Sequence, residues 1–517
     1  STPKPSSAAS DVYKRQQPVP TLRFVPQANL VTLDPVWSTA TITTNHGYYV
    51  YDQLFALDAS FTPRPQMAEG AEVSADGRAW TIKLRPGLKF HDNTPVRSID
   101  AAASIERWSK RDVFGLLLGQ AVERYETPDD RTLVIHLTRP FPLMLDALAK
   151  PDMSALFVMP ERIARSDPFK PITDPTGSGP YRFVRDEWVD GSRLVYAKFD
   201  GYQPRPEPPE WGTGGKVAYF PRIEWHVIAD SATVAAAMQR GEVDWWAQPL
   251  PDLYPTLQKA GMSLQIDQPA GRFATMVMNC LQPPFDNEKV RRAVLMAINQ
   301  TDFLSAYVGE DSTMYRECRS LFPCGTPYAE EALGRTLMHS SLEEGRKLLR
   351  ASGYKGEKVV VVSATDVPVI TAFGQVANAL LKDLGMNVDF QVSDWGTVVK
   401  RRLSQEGVEK GGWSVFVTAG PAVGYLDPSV SPLVRGLGAK GRFTWWDSPA
   451  AEAKVAEFLS APDKVTQKRI AQEINDLALA GVAVAPLGQY FVKTAFTKRI
   501  TGVLQGICPY PWNVRPA

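Results

Sequence analysis

The stretch WTIKLRPGLKFHDNTPVRSIDAAASIERW, residues 80–108, decides how the rest of the chain is read. Trp80, Ile82 and Leu84 alternate with Thr81, Lys83 and Arg85, the period of a strand with one buried face. Pro86-Gly87 turns the chain, Leu88 and Phe90 offer a second short apolar pair, and Asp92-Asn93 with Thr94-Pro95 turns it again. Ser98 is placed to cap a helix with Asp100 in its first turn. Ala101, Ile105 and Trp108 then share one face of that helix. Periodicity alone gives a β-turn-β-turn-α unit.

Before this stretch, residues 21–25 read as a strand and residues 41–57 as a helix with Ile42, Tyr49, Leu54 and Phe55 on its apolar side. Residues 72–84 form a hairpin turning at Asp76-Gly77. Residues 1–20, Ser, Pro and Ala with scattered charge, are set aside as a tag, linker or assembly scar. After it, a second hairpin spans 122–137, and short helices are expected at 142–148 and 160–164. Gly177-Ser178-Gly179-Pro180-Tyr181 is a loop ending at a strand, and 181–188 pairs with 193–199 across Asp190-Gly191. A strand at 223–228, a helix capped by Ser231 and stopped by Gly241, and a strand at 243–245 imply parallel pairing. Strands at 273–279, 359–363, 388–392 and 413–417 alternate with helices at 288–298, 342–350, 369–384 and 396–403, a doubly wound pattern. A helix at 464–479 and strands at 482–485 and 489–496 close the chain.

With 517 residues the chain exceeds one core and implies two or three. Its 57 basic and 56 acidic residues nearly cancel, which argues against nucleic acid or an anionic membrane as the main partner. The apolar share, 44%, is that of a folded globular protein. No apolar run is long enough to span a bilayer, and no charged-then-apolar leader opens the chain, which is therefore read as mature or as lacking its leader. Cys318 and Cys324 share a Pro- and Gly-containing loop, ECRSLFPCGTP. They read as a local disulfide adding about 2 kcal/mol on the chain-entropy model, or as two free thiols. No second Cys/His pair stands nearby to make a metal site. Cys280 and Cys508 are single thiols or a long-range pair.

The order of words in 80–108 resembles the signature of the large extracytoplasmic solute-binding proteins of the peptide/nickel class, family 5, which feed ABC importers. That signature is a strand, LR-x-G-x-K-F-H-D-x-T-P, then a helix. Here it is Leu84-Arg85, Gly87, Lys89-Phe90-His91-Asp92 and Thr94-Pro95. Three further words match in order: Gly177 to Tyr181, the helix followed by Gly241-Glu242-Val243-Asp244, and PFDNEKVRRAVLMAIN at 284–299. The resemblance covers nearly all of the chain after Pro20. It implies an α/β fold, a bilobed periplasmic-binding-protein clamshell of type II, cluster C, with an additional third lobe. Lobe I is expected at 21–44, 177–270 and 486–517, lobe II at 45–176 and lobe III at 271–485. The resemblance also implies a periplasmic or otherwise extracytoplasmic monomer that carries a peptide or small molecule to an ABC permease. No cofactor, resident metal or catalysis is expected.

The motifs agree with a receptor. There is no G-x-S-x-G elbow, no H-E-x-x-H, no phosphate-cradling glycine loop and no strand–glycine loop–helix fingerprint of a dinucleotide site. The five histidines lie far apart. Candidate ligand contacts fall in patches. Asn45, His46, Tyr48 and Tyr49 offer polar and aromatic groups near the first interlobe crossing, or simply pack there. The resemblance aligns Trp395 and Arg402 with cleft residues of peptide-binding relatives, where Trp395 would stack on the solute and Arg402 pair with a carboxylate. The other reading is a capping Asp394, a packed Trp395 and a solvated Arg402. Residues 418–425 occupy the family's specificity loop, where peptide binders usually carry an Asp just before a Tyr to hold the α-amine. Gly424 stands there, before Tyr425, so the usual ammonium anchor is missing. This moves weight from a peptide or amino-acid derivative toward a non-peptide organic solute held by stacking. A metal chelate and a secreted hydrolase are the remaining alternatives. Phe273, Tyr490, Trp445 and Trp446 are further aromatic candidates.

Overall fold

Strand Ala79–Leu84 buries Ile82 and Leu84 and exposes Lys83, as its alternation requires. In the computed structural model, which describes residues 20–441 and 444–517, it lies inside a four-stranded antiparallel sheet. The sheet order is Ala68–Val73, Ala79–Leu84, Thr132–Leu137, Val122–Asp129. The reading of residues 1–20 as a tag or linker falls, up to residue 19, outside the described residues. Helix Ser98–Ser109 buries Ala101, Ile105 and Trp108. Its cap differs from expectation: Ser98 is already helical and donates to the Asp129 carbonyl at 2.5 Å. The start is closed by Asp100, which accepts from the Arg97 N–H at 2.7 Å.

The expected helix at 41–57 stops at Val50, and Phe55–Leu57 is a strand paired with Pro63–Pro65. The Gly177 loop causes the stop. Gly179 N–H donates to the Val50 carbonyl at 2.9 Å, and Asp52 N–H to Ser178 Oγ at 3.0 Å. A Cβ at Gly177 would fall on that same carbonyl oxygen. The two glycines are therefore required by close approach.

A seven-stranded sheet has the order Ser263–Ile266, Lys493–Phe496, Trp245–Trp246, Thr21–Val25, Arg222–His226, Arg193–Lys198, Tyr181–Phe183. The strands on either side of helix Ser231–Gln239 both run parallel to Thr21–Val25, which lies between them. Asp230 caps this helix, accepting from Thr233 N–H at 2.7 Å; Ser231 does not. The third large sheet has the order Tyr315–Arg316, Ala485–Tyr490, Arg272–Met278, Val415–Pro421, Lys358–Ala364, Asn387–Ser393. Lys358–Ala364 runs parallel to both neighbours, but Arg272–Met278 is antiparallel to both of its own. The sheet is thus mixed, and the doubly wound pattern holds only across 358–421. The closing strands also differ from expectation. Val482 sits at φ 46°, outside any strand, and one strand, Ala485–Tyr490, stays in the six-stranded sheet. The chain returns to the seven-stranded sheet only with Lys493–Phe496.

The seven-stranded and six-stranded sheets are joined at 267–271 and again at 491–492. These connectors bond to each other: Asp267 N–H donates to the Val492 carbonyl at 3.1 Å. Arg272 pairs with Asp267 through two bonds of 2.9 and 2.6 Å. Cys318 and Cys324 form a disulfide, while Cys280 and Cys508 are both free.

Candidate functional site

Helix Thr41–Val50 is buried on every side after its first residue, so its polar residues meet protein all round. Asn45 Nδ2 donates to Gln27 Oε1 at 3.3 Å, and its Oδ1 has no partner among the described residues. His46 Nδ1 lies 2.9 Å from the Tyr196 hydroxyl, and its ring meets Phe183 edge-on. Burial lowers the His46 pKa to about 3, so the imidazole is neutral. Tyr49 packs against Tyr196 and Trp225 at 5.0 Å each. Tyr48 packs on Phe157 and Tyr510, and its hydroxyl donates to the Pro151 carbonyl at 2.8 Å. His46 and Tyr49 are thus core aromatics. Asn45 lines a small cavity with Gln268 and Cys508, and Tyr48 reaches the segment 150–154.

On the six-stranded side, Asp394 caps helix Trp395–Arg401, accepting from Thr397 N–H at 3.0 Å. Trp395 is half-buried, and the Arg402 guanidinium lies over its ring at 5.4 Å and over Phe416 at 5.8 Å. Arg402 is half-buried, not solvated. Tyr425 is buried 5.7 Å from Phe273 and within electrostatic reach of Arg402; burial pushes its phenol up to about 12. Tyr490 meets Tyr307 and Phe373 edge-on and lies within reach of Arg272 and Tyr425. Phe273, Trp395, Arg402, Tyr425 and Tyr490 therefore belong to one aromatic-cationic cluster, in which Phe273, Tyr425 and Tyr490 are buried. Trp445 and Trp446 pack elsewhere in the core, against Trp413 and beneath Gly481.

Opposite Gly424 stands Met153: a Cβ on Gly424 would lie 3.4 Å from its methyl carbon and 3.6 Å from its sulfur. The facing segment, Lys150 to Ser154, comes from the part of the chain built on the four-stranded sheet. Between it and the six-stranded part lies a cavity of about 460 Å³, within the range of small-molecule sites. Its walls are mostly apolar, with Leu57, Phe61 and Phe114 on one side and Tyr328, Val423 and Leu426 on the other. Lys464 and Asp146, both lining it, pair across it at 2.7 Å.

The segment 150–154 was not among the residues expected at a site. Its sequence, Lys-Pro-Asp-Met-Ser, carries only a turn signal. Cys508 and Gln268 were equally invisible, since their place depends on contacts from distant segments. Among the described residues, no group of three or more His, Cys, Asp or Glu is placed to hold a metal ion. No helix of the described residues is long and apolar enough to cross a membrane.

Residues 62–436 match the model for bacterial extracellular solute-binding proteins, family 5 (middle). The chain is 34% identical, over 95% of its length and 92% of the relative's, to a probable peptide ABC transporter periplasmic-binding protein of Sinorhizobium fredii. It is 25% identical, over 92% of its length and 90% of the relative's, to glutathione-binding protein GsiB of Escherichia coli. Its fold is similar to that of a dipeptide-binding protein from a Pseudoalteromonas species solved with Met-Leu. The TM-score is 0.78 at 18% identity, over 96% of this chain and 100% of that one. At that identity the likeness shows a shared periplasmic-binding-protein fold.

Proposed function

This chain belongs to the bacterial extracellular solute-binding proteins of family 5, and from that membership we propose that it is the receptor of an ABC importer for a peptide-like solute. The observation that carries the reading is the cavity of about 460 Å³ whose walls come from two parts of the chain built on different sheets. A solute held there touches both walls and so favours the conformation in which they approach. Moving the population from mostly open to mostly closed takes about 5.5 kcal/mol of differential binding, and a micromolar solute brings about 8 kcal/mol in total.

In this reading the seven-stranded sheet is the core of lobe I, the four-stranded sheet that of lobe II and the six-stranded sheet that of lobe III. The return to lobe I comes after Tyr490, where the pairing partner changes. The protein acts as a monomer outside the cytoplasm and passes its solute, chemically unchanged, to a membrane permease. Trp395, Arg402 and Tyr425 do not line the cavity; in this reading they supply stacking and charge to the solute from beside its lining residues Val423 and Leu426. The direct test combines calorimetry and small-angle scattering on the full chain with dipeptides, glutathione and opines. Binding should shrink the radius of gyration, and the solute should be recovered intact. A chain that binds none of them, never contracts, or consumes its ligand would not be this receptor.

A further inference from the structure

We propose that Asp152 is the counter-charge for a protonated nitrogen, ammonium or guanidinium, on the captured solute. The assignment rests on the receptor reading above and names the chemistry that the receptor selects; Asp152 follows Lys150 and Pro151, which line the cavity of about 460 Å³, and is not itself among its lining residues. Asp152 is 6% exposed, and its Oδ2 has no hydrogen-bond partner among the described residues. A buried carboxylate oxygen left in this way is costly unless something else meets it.

The surrounding cations are already matched. Lys150 pairs with Asp112 and donates to the Met153 carbonyl at 2.6 Å. Arg272 is held twice by Asp267. Lys216 donates to Asp52 at 2.7 Å. Among the described residues, Asp152 alone of these four carboxylates has no cation bonded to it. Burial pushes its carboxyl up, while the Met153 N–H and the charges of Lys150 and Arg272 pull it down.

The backbone presents this side chain by force. Met153 and Ser154 both sit in the left-handed region, at φ 48° and 69°. Two consecutive non-glycine residues adopt that conformation only where the surroundings impose it. Here three side chains clamp three carbonyls: Tyr48 holds Pro151 at 2.8 Å, Lys150 holds Met153, and Trp108 Nε1 holds Ser154 at 2.7 Å. Asp152 is thereby fixed within electrostatic reach of Tyr48, Tyr425, Tyr510 and Cys508, where residues from all three large sheets' surroundings converge. Met153, its neighbour, faces Gly424. No carboxylate stands at 424 itself; the loop's own Asp427 lines the cavity three residues on, and Asp152 adjoins the residue that faces Gly424.

The test uses the full chain, a mixed dipeptide library, the same library N-acetylated, and agmatine as a guanidinium probe, read by thermal shift and calorimetry. At least one cationic probe should bind, and acetylation should weaken library binding at least roughly tenfold. Asp152→Asn should weaken the cationic probe roughly ten- to a hundredfold, leave acetylated compounds unchanged and abolish the discrimination. Asp152→Glu should keep the preference for charge. The ligand-free melting temperature of Asp152→Asn should hold or rise, because a buried charge without a bonded cation is removed. The assignment is overturned if no cationic probe binds, if acetylated compounds bind equally well, or if Asp152→Asn still discriminates. If neutral compounds bind with contraction in scattering, the receptor reading stands and this assignment alone falls.

Discussion

His46 and His91 are both kept neutral by burial, with pKa values lowered to about 3 and about 4. In the unfolded chain each titrates near 6.5. Their contribution is therefore intact above about pH 6.5 and is lost as pH falls toward the folded values. Below pH 6 each histidine should cost about 1.4 kcal/mol of stability per pH unit. Denaturant unfolding at pH 7, 6, 5 and 4 should show a shallower acid loss for His46→Gln than for the wild type. Parallel curves would remove His46 from the account. The chemistry of residues 45–49 could be read from sequence; their surroundings could not. Polar and aromatic letters looked like ligand contacts, but the helix is enclosed on all sides, and His46 and Tyr49 spend their rings on Tyr196 and Trp225. Asp152 was missed for the converse reason. A lone Asp after Pro looks like a turn until Tyr48, Lys150 and Trp108 are seen to hold its neighbours.

At the scale of elements, strand and helix bodies were legible, because alternation and the helical period follow burial directly. The ends were not, because distant partners fix them. Helix Thr41–Val50 stops where the Gly177 loop takes over its last carbonyl. Helix Ser98–Ser109 starts one residue early because Asp100 closes it from inside. The direction of Arg272–Met278 was also hidden: it is buried along its whole length and carries no mark of which way its neighbours run. The Gly177 junction gives a sharp expectation. Gly177→Ala puts a methyl group on the Val50 carbonyl, and the main chain must move to admit it. A loss of at least about 2 kcal/mol is expected from equilibrium unfolding. Gly191→Ala serves as the control: a Cβ there meets open space, although its φ of 70° adds a strain of its own. A Gly177→Ala loss no larger than the control's would show that the close approach is not limiting.

For the whole molecule, four words in order carried the architecture, because each marks a place where chain path and packing are both constrained. What they could not carry was how the seven-stranded and six-stranded sheets are tied. The connectors at 267–271 and 491–492 are short, run side by side and bond to one another. In the receptor reading these two short connectors are the hinge about which the lobes close. Spin labels at the exposed positions Val189 and Val465, and at Val73 and Val392, would follow the swing. The half-buried thiol of Cys280, pushed up to about 11 by burial, and the buried Cys508 should label poorly by comparison. Both distances should change in fixed proportion as solute is added; independent drift would mean more than one soft coordinate. With a single such coordinate, the seam judges chemistry while the outer surface displays only an angle. Any cargo that arrests the swing at the same point would then look identical from the membrane side.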